Sequence, residues 1–283
     1  MRIIRFATSA GPRLGIVDGT DVRAFTPPIA SLEAYLAISS AERTGLATEP
    51  IGALASVTLV APAAPRKNVF CVGRNYLGHA EEIAKARGIP LQLPAVPTFF
   101  TKAPTAVAAP GATLHLSAAL SSEYDWEAEL AVVIGTRCRD VAEGDALGVV
   151  FGYTALNDVT ARDLQKAHGQ WFKGKSLDET SPIGPWIVTA DEIPDPHALD
   201  IGIRIDGVTK QASNTSQLIF RIPKIIASLS AGMTLEPGDV IATGTPDGVG
   251  FARTPPEFLH DGATMDVEIA QIGILHNVVA LSP

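Results

Sequence analysis

An α+β, mainly β fold is predicted by three observations. Short β-like runs outnumber helical ones along the chain. Gly 25 and Pro 21 punctuate the 283 residues, more than an average domain carries, and frequent turns favour strands. Strands and helices follow no regular βαβα alternation, which argues against a doubly wound parallel sheet.

Residues 1–60 read as a small α+β unit. Runs 2–7 and 14–18 are strand-like, with Gly11-Pro12 as a turn between them and Asp18-Gly19 as the next. Ser31 is an N-cap for a short helix over 32–38, because its hydroxyl can accept a free N–H of the first turn. Residues 61–66, beginning Ala61-Pro62-Ala63-Ala64-Pro65, form a Pro-rich linker. The larger domain is then 67–283.

Within it, β-like runs fall at 68–72, 98–102, 126–134, 148–156, 186–189, 201–205, 240–243 and 265–269. A helix over 77–87 is closed by Gly88, which tolerates the left-handed conformation of a C-cap. Shorter helices are expected at 161–166 and 223–229, the latter with Pro223 in its first turn, where a missing N–H costs little.

Composition excludes several function classes. The formal net charge is −8, and no Lys/Arg run offers a phosphate-binding surface, so no nucleic-acid partner is expected. No apolar stretch approaches the ~20 residues of a membrane span, and the start of the chain lacks an apolar signal segment. Cys71 and Cys138 then read as reduced thiols of a cytoplasmic protein.

The most informative segment is Asp125-Trp126-Glu127-Ala128-Glu129-Leu130-Ala131-Val132-Val133-Ile134. Strand alternation puts Trp126, Ala128, Leu130, Val132 and Ile134 on one face and Asp125, Glu127 and Glu129 on the other. Two glutamates about 4 Å apart repel by about 4 kcal/mol at an effective dielectric of about 20, and a cation removes that cost. A water-facing edge strand is an equal reading of this segment alone. Asp158 supplies a third carboxylate where the strand over 148–156 gives way to a helix, though a turn or cap residue reads as well there. Glu127, Glu129 and Asp158 together would make an all-oxygen site suited to magnesium, manganese or calcium.

His79 and Glu82, three apart, share a helix face, where a carboxylate can orient an imidazole and raise its basicity. An exposed polar helix face is the plainer alternative. Residues 169–176 match the phosphate-loop spacing G-x-x-x-x-G-K-S. That motif needs a buried strand before it and a helix N-terminus after it, and both are absent from the pattern here. Lys175 is better placed to offset the carboxylates or grip an anionic substrate.

Five blocks, in order, give the chain a resemblance to the fumarylacetoacetate hydrolase family in its bacterial catabolic branch. They are Cys71-Val72-Gly73-Arg74-Asn75-Tyr76 with His79; Trp126-Glu127-Ala128-Glu129 and its apolar continuation to Gly135; Asn157-Asp158-Val159-Thr160-Ala161-Arg162-Asp163-Leu164-Gln165; Gly174-Lys175-Ser176; and Thr243-Gly244-Thr245-Pro246. The resemblance implies a mixed β-roll or β-sandwich catalytic domain, usually in a homodimer. It implies magnesium or manganese on Glu127, Glu129 and Asp158, with calcium as a substitute. It makes His79 and Glu82 a water-activating dyad, with Lys175 stabilising developing charge. Arg74, Tyr76, Arg162, Gln165 and Thr245 would bind a 2-oxo acid. The expected reaction is hydrolysis of a C–C bond in acylpyruvate-like 2,4-diketo acids. The alternative is decarboxylation or isomerisation of 2-oxo or 2-hydroxy dioic acids, oxaloacetate included, by the same enolate chemistry.

Overall fold

The first sixty residues form a meander whose turns are where the Gly-containing pairs predicted them. Strands β1 (Arg2–Phe6), β2 (Arg13–Asp18), β3 (Asp21–Thr26) and β4 (Ala47–Ala53) pair in sequence order. Between β3 and β4 lie α1 (Leu32–Leu36), capped by the Ser31 hydroxyl, and α2 (Ser40–Thr44), held by a Ser39–Glu42 capping box. The structure, a computed structural model, describes residues 1–283 apart from the side chain of Arg87.

The rest of the chain continues with β5 (Leu59–Val60), β6 (Val69–Gly73), α3 (Leu77–Arg87), β7 (Thr98–Lys102), β8 (Val107–Ala108), β9 (Thr113–Ser117) and β10 (Tyr124–Asp125). Next come β11 (Ala128–Ile134), β12 (Val150–Asn157), β13 (Thr160–Ala161), α4 (Arg162–Ala167), α5 (Phe172–Lys175) and β14 (Ser181–Thr189). The last elements are β15 (Asp200–Ile205), β16 (Val208–Asn214), α6 (Ile222–Ser230), β17 (Val240–Ala242), β18 (Thr264–Ile269) and β19 (Gly273–Ser282). Gly88 closes α3 at φ 63°. Among the described residues no helix is long and apolar enough to cross a membrane, and Cys71 and Cys138 are free thiols.

Two mixed sheets result. The larger runs β4-β3-β2-β1-β14-β12-β11-β17-β6-β7, and the smaller runs β16-β15-β18-β19-β9. β1 pairs antiparallel with β14, Arg2 opposite Val188 and Ile3 opposite Ile187, so the N-terminal strands extend the same sheet as the later ones.

β11 lies in the interior of the large sheet, between β12 and β17, and all seven of its residues are buried. The edge-strand reading of this segment is therefore overturned. Leu130, Val132 and Ile134 enter a cluster with Ile203 and Val267 of the smaller sheet. Ala131 and Val133 enter a second cluster with Leu14, Tyr35 and Ile187. Burying each such aliphatic side chain contributes roughly 1.5–3 kcal/mol, so β11 is fixed from both sides. The regular strand begins at Ala128, two residues later than the pattern suggested. The Asn157 side chain replaces the ladder there, its Oδ1 accepting the Glu127 N–H at 3.0 Å.

Candidate active site

The carboxylates are positioned by β11 and by the end of β12. The backbone N–H of Asp158 donates to the Glu127 carbonyl at 2.9 Å, so the two segments stay paired where the strands stop. Ligand oxygens of Glu127, Glu129 and Asp158 all lie within 4.8 Å of one another, and all three residues are buried. Strand alternation thus delivers Glu127 and Glu129 to one place, and the β12–β13 junction delivers Asp158 to the same place.

Three cations answer three of the four acids. Lys175 Nζ donates to Glu127 Oε2 at 2.8 Å and to Asp158 Oδ2 at 2.7 Å. Lys102 Nζ donates to Asp158 Oδ1 at 2.7 Å and to the Val159 carbonyl at 3.0 Å. Arg162 Nε donates to Asp125 Oδ2 at 2.8 Å, and its Nη2 pairs with Glu127 Oε1 at 2.7 Å. Asp125 also accepts the N–H groups of Gly250 and Phe251, at 2.7 and 3.1 Å, which ties that loop to the site.

Among the described residues Glu129 forms no ion pair. Its Oε2 accepts the Gly244 N–H at 2.7 Å. Gly244 sits at φ 102°, and a Cβ there would come within 2.8 Å of the Asn75 Cβ, so the turn that offers this N–H requires glycine. Burial, followed by the charges of Asp158 and Glu127, pushes the Glu129 carboxyl well above the usual carboxylate range. Burial acts on Glu127 as well, but Lys175 and Arg162 overcome it and hold that carboxyl down at about 2. Burial would lower Lys175, yet Asp158 and Glu127 hold its ammonium above the ordinary lysine value. In Lys102 burial prevails over Asp158, and the value falls. Three close carboxylates, one lacking a counter-charge, form a hard-oxygen donor set that fits a divalent cation such as magnesium or manganese.

The helix α3 brings in the imidazole. His79 Nδ1 lies 3.4 Å from Glu82 Oε2, and Glu82 Oε1 accepts the Gly248 N–H at 3.0 Å. Glu82 therefore holds the imidazole with one oxygen and the 243–250 turn with the other. Arg74, His79, Glu127, Glu129, Arg162, Gln165, Lys175 and Thr245 all line one cavity of about 60 Å³. Thr245 is fixed by Gln211, whose Nε2 donates to its Oγ1 at 2.9 Å. Arg74 has φ 55°, uncommon outside glycine, and its guanidinium lies 6.0 Å from the centre of the Trp171 ring. Tyr76 is not on the cavity wall. Its ring is buried, and its hydroxyl has no hydrogen-bond partner among the described residues.

The phosphate-loop match has another use. Residues 169–176 follow helix α4 and contain α5, and Lys175 is buried between two carboxylates. Gly174 is there for close approach, since a Cβ would lie 2.5 Å from the Gln165 nitrogen.

Lys102, Asp125, Gln211, Trp171 and Phe251 belong to the site although the sequence analysis did not select them. Lys102 had a signal. It ends the β7 run Thr98-Phe99-Phe100-Thr101-Lys102 on the same face as Phe100, which also lines the cavity.

The family profile described as "Fumarylacetoacetate (FAA) hydrolase C-terminal" matches residues 68–280, and "Rv2993c-like, N-terminal" matches residues 1–62. "Oxaloacetate tautomerase YisK" of Bacillus subtilis (strain 168) is 46% identical over 80% of this chain and 74% of its own length. "Oxaloacetate tautomerase FAHD2A, mitochondrial" of Bos taurus is 40% identical over 99% of this chain and 91% of its own. Among solved structures, a fumarylacetoacetate hydrolase from Exiguobacterium antarcticum superposes with a TM-score of 0.86 at 39% identity, covering all of both chains. A 2-hydroxyhepta-2,4-diene-1,7-dioate isomerase from Mycobacterium marinum gives 0.80 at 35%, covering all of this chain and 99% of the other.

Proposed function

The chain belongs to the fumarylacetoacetate hydrolase family, and on that premise we propose that it is a divalent-metal-dependent enzyme interconverting the keto and enol forms of oxaloacetate-like 2-oxo acids. This reading takes the expected alternative over C–C hydrolysis, in line with the names of its sequence relatives. The observation that carries it is the meeting of two proton-bearing groups, His79 and Lys175, on one small cavity that Glu127 and Glu129 of the carboxylate triad also line.

Glu127, Glu129 and Asp158 would hold a magnesium or manganese ion, which when bound polarises the 2-oxo oxygen and favours the enolate. Arg162 and Gln165 hold the carboxylate next to the 2-oxo group, and Thr245 orients it. His79, aligned by Glu82, takes the proton from C3 or returns it. The Lys175 ammonium stabilises the charge that gathers on the 2-oxo oxygen. The C3–H bond breaks and an O–H bond forms, so no carbon–carbon bond breaks and no water is consumed. Hydrolysis would add a water nucleophile and room for a second product to the same small cavity.

Ketonisation of freshly dissolved enol-oxaloacetate, followed by ultraviolet absorbance with manganese, tests this reading. Acceleration without release of CO₂ is expected. Cleavage of an acylpyruvate with no effect on oxaloacetate would sink it. Isomerisation of a 2-hydroxy-2,4-diene-1,7-dioate is a second reading, supported by the likeness to the Mycobacterium marinum enzyme. It uses the same proton transfer and is read by the same absorbance assay. A homodimer is part of the proposal, and sedimentation equilibrium checks it.

A further inference from the structure

The 60 Å³ cavity adjoins a second, outer chamber of about 700 Å³. Arg162, Gln165, Trp171 and Phe251 line both, so the two spaces share a wall. Beyond that wall the chamber is bounded by Pro256 and Phe258, and its charged members are Lys166 and Glu123. Trp171 is held edge-on against Phe100, with ring centres 5.2 Å apart. Phe251 lies 4.5 Å beneath the Arg162 guanidinium. Two aromatic rings are therefore fixed on the shared wall by residues of the site itself.

The charges argue about the ligand's far end. Arg162 is already answered by Asp125 and Glu127. Among the described residues the chamber adds one cation, Lys166, and one acid, Glu123, whose formal charges sum to zero. Three aromatic rings and a proline favour an apolar, planar group.

We infer that the outer chamber is a subsite for the aryl end of arylpyruvic acids, and that the enzyme tautomerises these as well as oxaloacetate-like acids. The inference rests on the tautomerase reading of the inner site. The step balances as before: a proton leaves the carbon bearing the aryl group, the C2–C3 double bond forms, and a proton arrives at the 2-oxo oxygen. No oxidant or co-reactant enters.

Calorimetric titration of the manganese-loaded protein with pyruvate, 2-oxoadipate and phenylpyruvate tests the subsite directly. Burying an aryl group is expected to make the phenylpyruvate dissociation constant about tenfold or more below that of pyruvate. Phe258→Ala should erase most of that gap and leave pyruvate binding unchanged, while Phe258→Leu keeps part of it. Phe258 lines only the outer chamber, so oxaloacetate turnover should stay within about twofold in both variants. Equal affinities for pyruvate and phenylpyruvate would overturn the inference. So would tighter binding of 2-oxoadipate, or a Phe258→Ala loss shared by all three acids. Faster ketonisation of enol-phenylpyruvate completes the expected result. Absence of turnover with both oxaloacetate and phenylpyruvate, with the affinity gap intact, would fault the tautomerase reading and leave the subsite standing.

Discussion

Lys102 and Asp158 form an ion pair that is wholly removed from solvent, Nζ to Oδ1 at 2.7 Å. The other oxygen of the same carboxylate is held by Lys175 at 2.7 Å. A metal-ligand candidate is thus clamped by two ammonium groups from different elements, β7 and α5.

Lys102→Met should therefore be costly. Removing one partner of a buried pair typically costs about 3–5 kcal/mol, and Asp158 would be left with Lys175 as its one paired cation among the described residues. Urea unfolding in EDTA should show a loss of that order, and manganese should recover part of it by supplying positive charge nearby. A change below about 1 kcal/mol in EDTA would mean that Asp158 does not depend on this clamp.

Binding of magnesium or manganese should stabilise the fold. A ligand at 100 times its dissociation constant adds about 2.7 kcal/mol. Thermal melts with EDTA and with either metal should differ, and Glu129→Gln should shrink the difference by removing a carboxylate that has no cation of its own. Superimposable melts for the unaltered protein would remove the metal site.

His79→Ala should retain metal and lose catalysis. A positioned general base contributes about 100- to 10,000-fold, so kcat for oxaloacetate ketonisation should fall within that range while manganese affinity is unchanged. Glu82→Gln should cost less, because an amide can still accept the Gly248 N–H that Glu82 binds. Loss of metal from His79→Ala would make the imidazole a ligand instead.

The pH dependence of stability has a source outside the site. His197 Nε2 accepts the Ile222 N–H at 3.1 Å, at the start of α6. Burial, with help from the Arg221 charge, holds this imidazole below its ordinary value near 6.5. The folded protein therefore prefers neutral His197, and its contribution is complete above that value. It is lost as pH falls through about 6.5 toward the folded-state value, because the unfolded chain takes up the proton first. Urea unfolding at pH 7.5 and 5.0 should show a larger decline in the unaltered protein than in His197→Asn. Equal declines would exclude this imidazole as the cause.

Legibility in the sequence followed local patterning. The i,i+2 glutamates in an apolar run, the Gly88 C-cap and the Ser31 N-cap each carry a one-segment signal, and each is found where that signal put it. Lys102 failed because its meaning lies in Asp158, 56 residues away. The strand β16, Val208–Asn214, failed because only Gln211 among its residues is buried, so it lacks apolar alternation. Its pairing comes from the turn Asp206-Gly207, both at positive φ, a two-residue hairpin signal. Helix α2 buries no residue and so has no periodicity to read; the Ser39–Glu42 capping box is its one mark. Gln211 and Asp125 act through backbone groups of distant turns, which no spacing rule encodes.

The pairing of β1 with β14 also decides how the molecule meets its neighbours. Without the first strands, Ile187 and Val188 would stand at an open margin of the sheet, with apolar neighbours and free backbone donors, a template for another chain. The sheet instead ends at β4, whose residues are almost all exposed and include Glu49 and Pro50, with a register break against β3. Charge, proline and an irregular ladder each discourage strand addition. The N-terminal strands thus act as an antiaggregation border. A chain started at Val69 should run on size-exclusion chromatography as assemblies larger than the dimer proposed for the full chain.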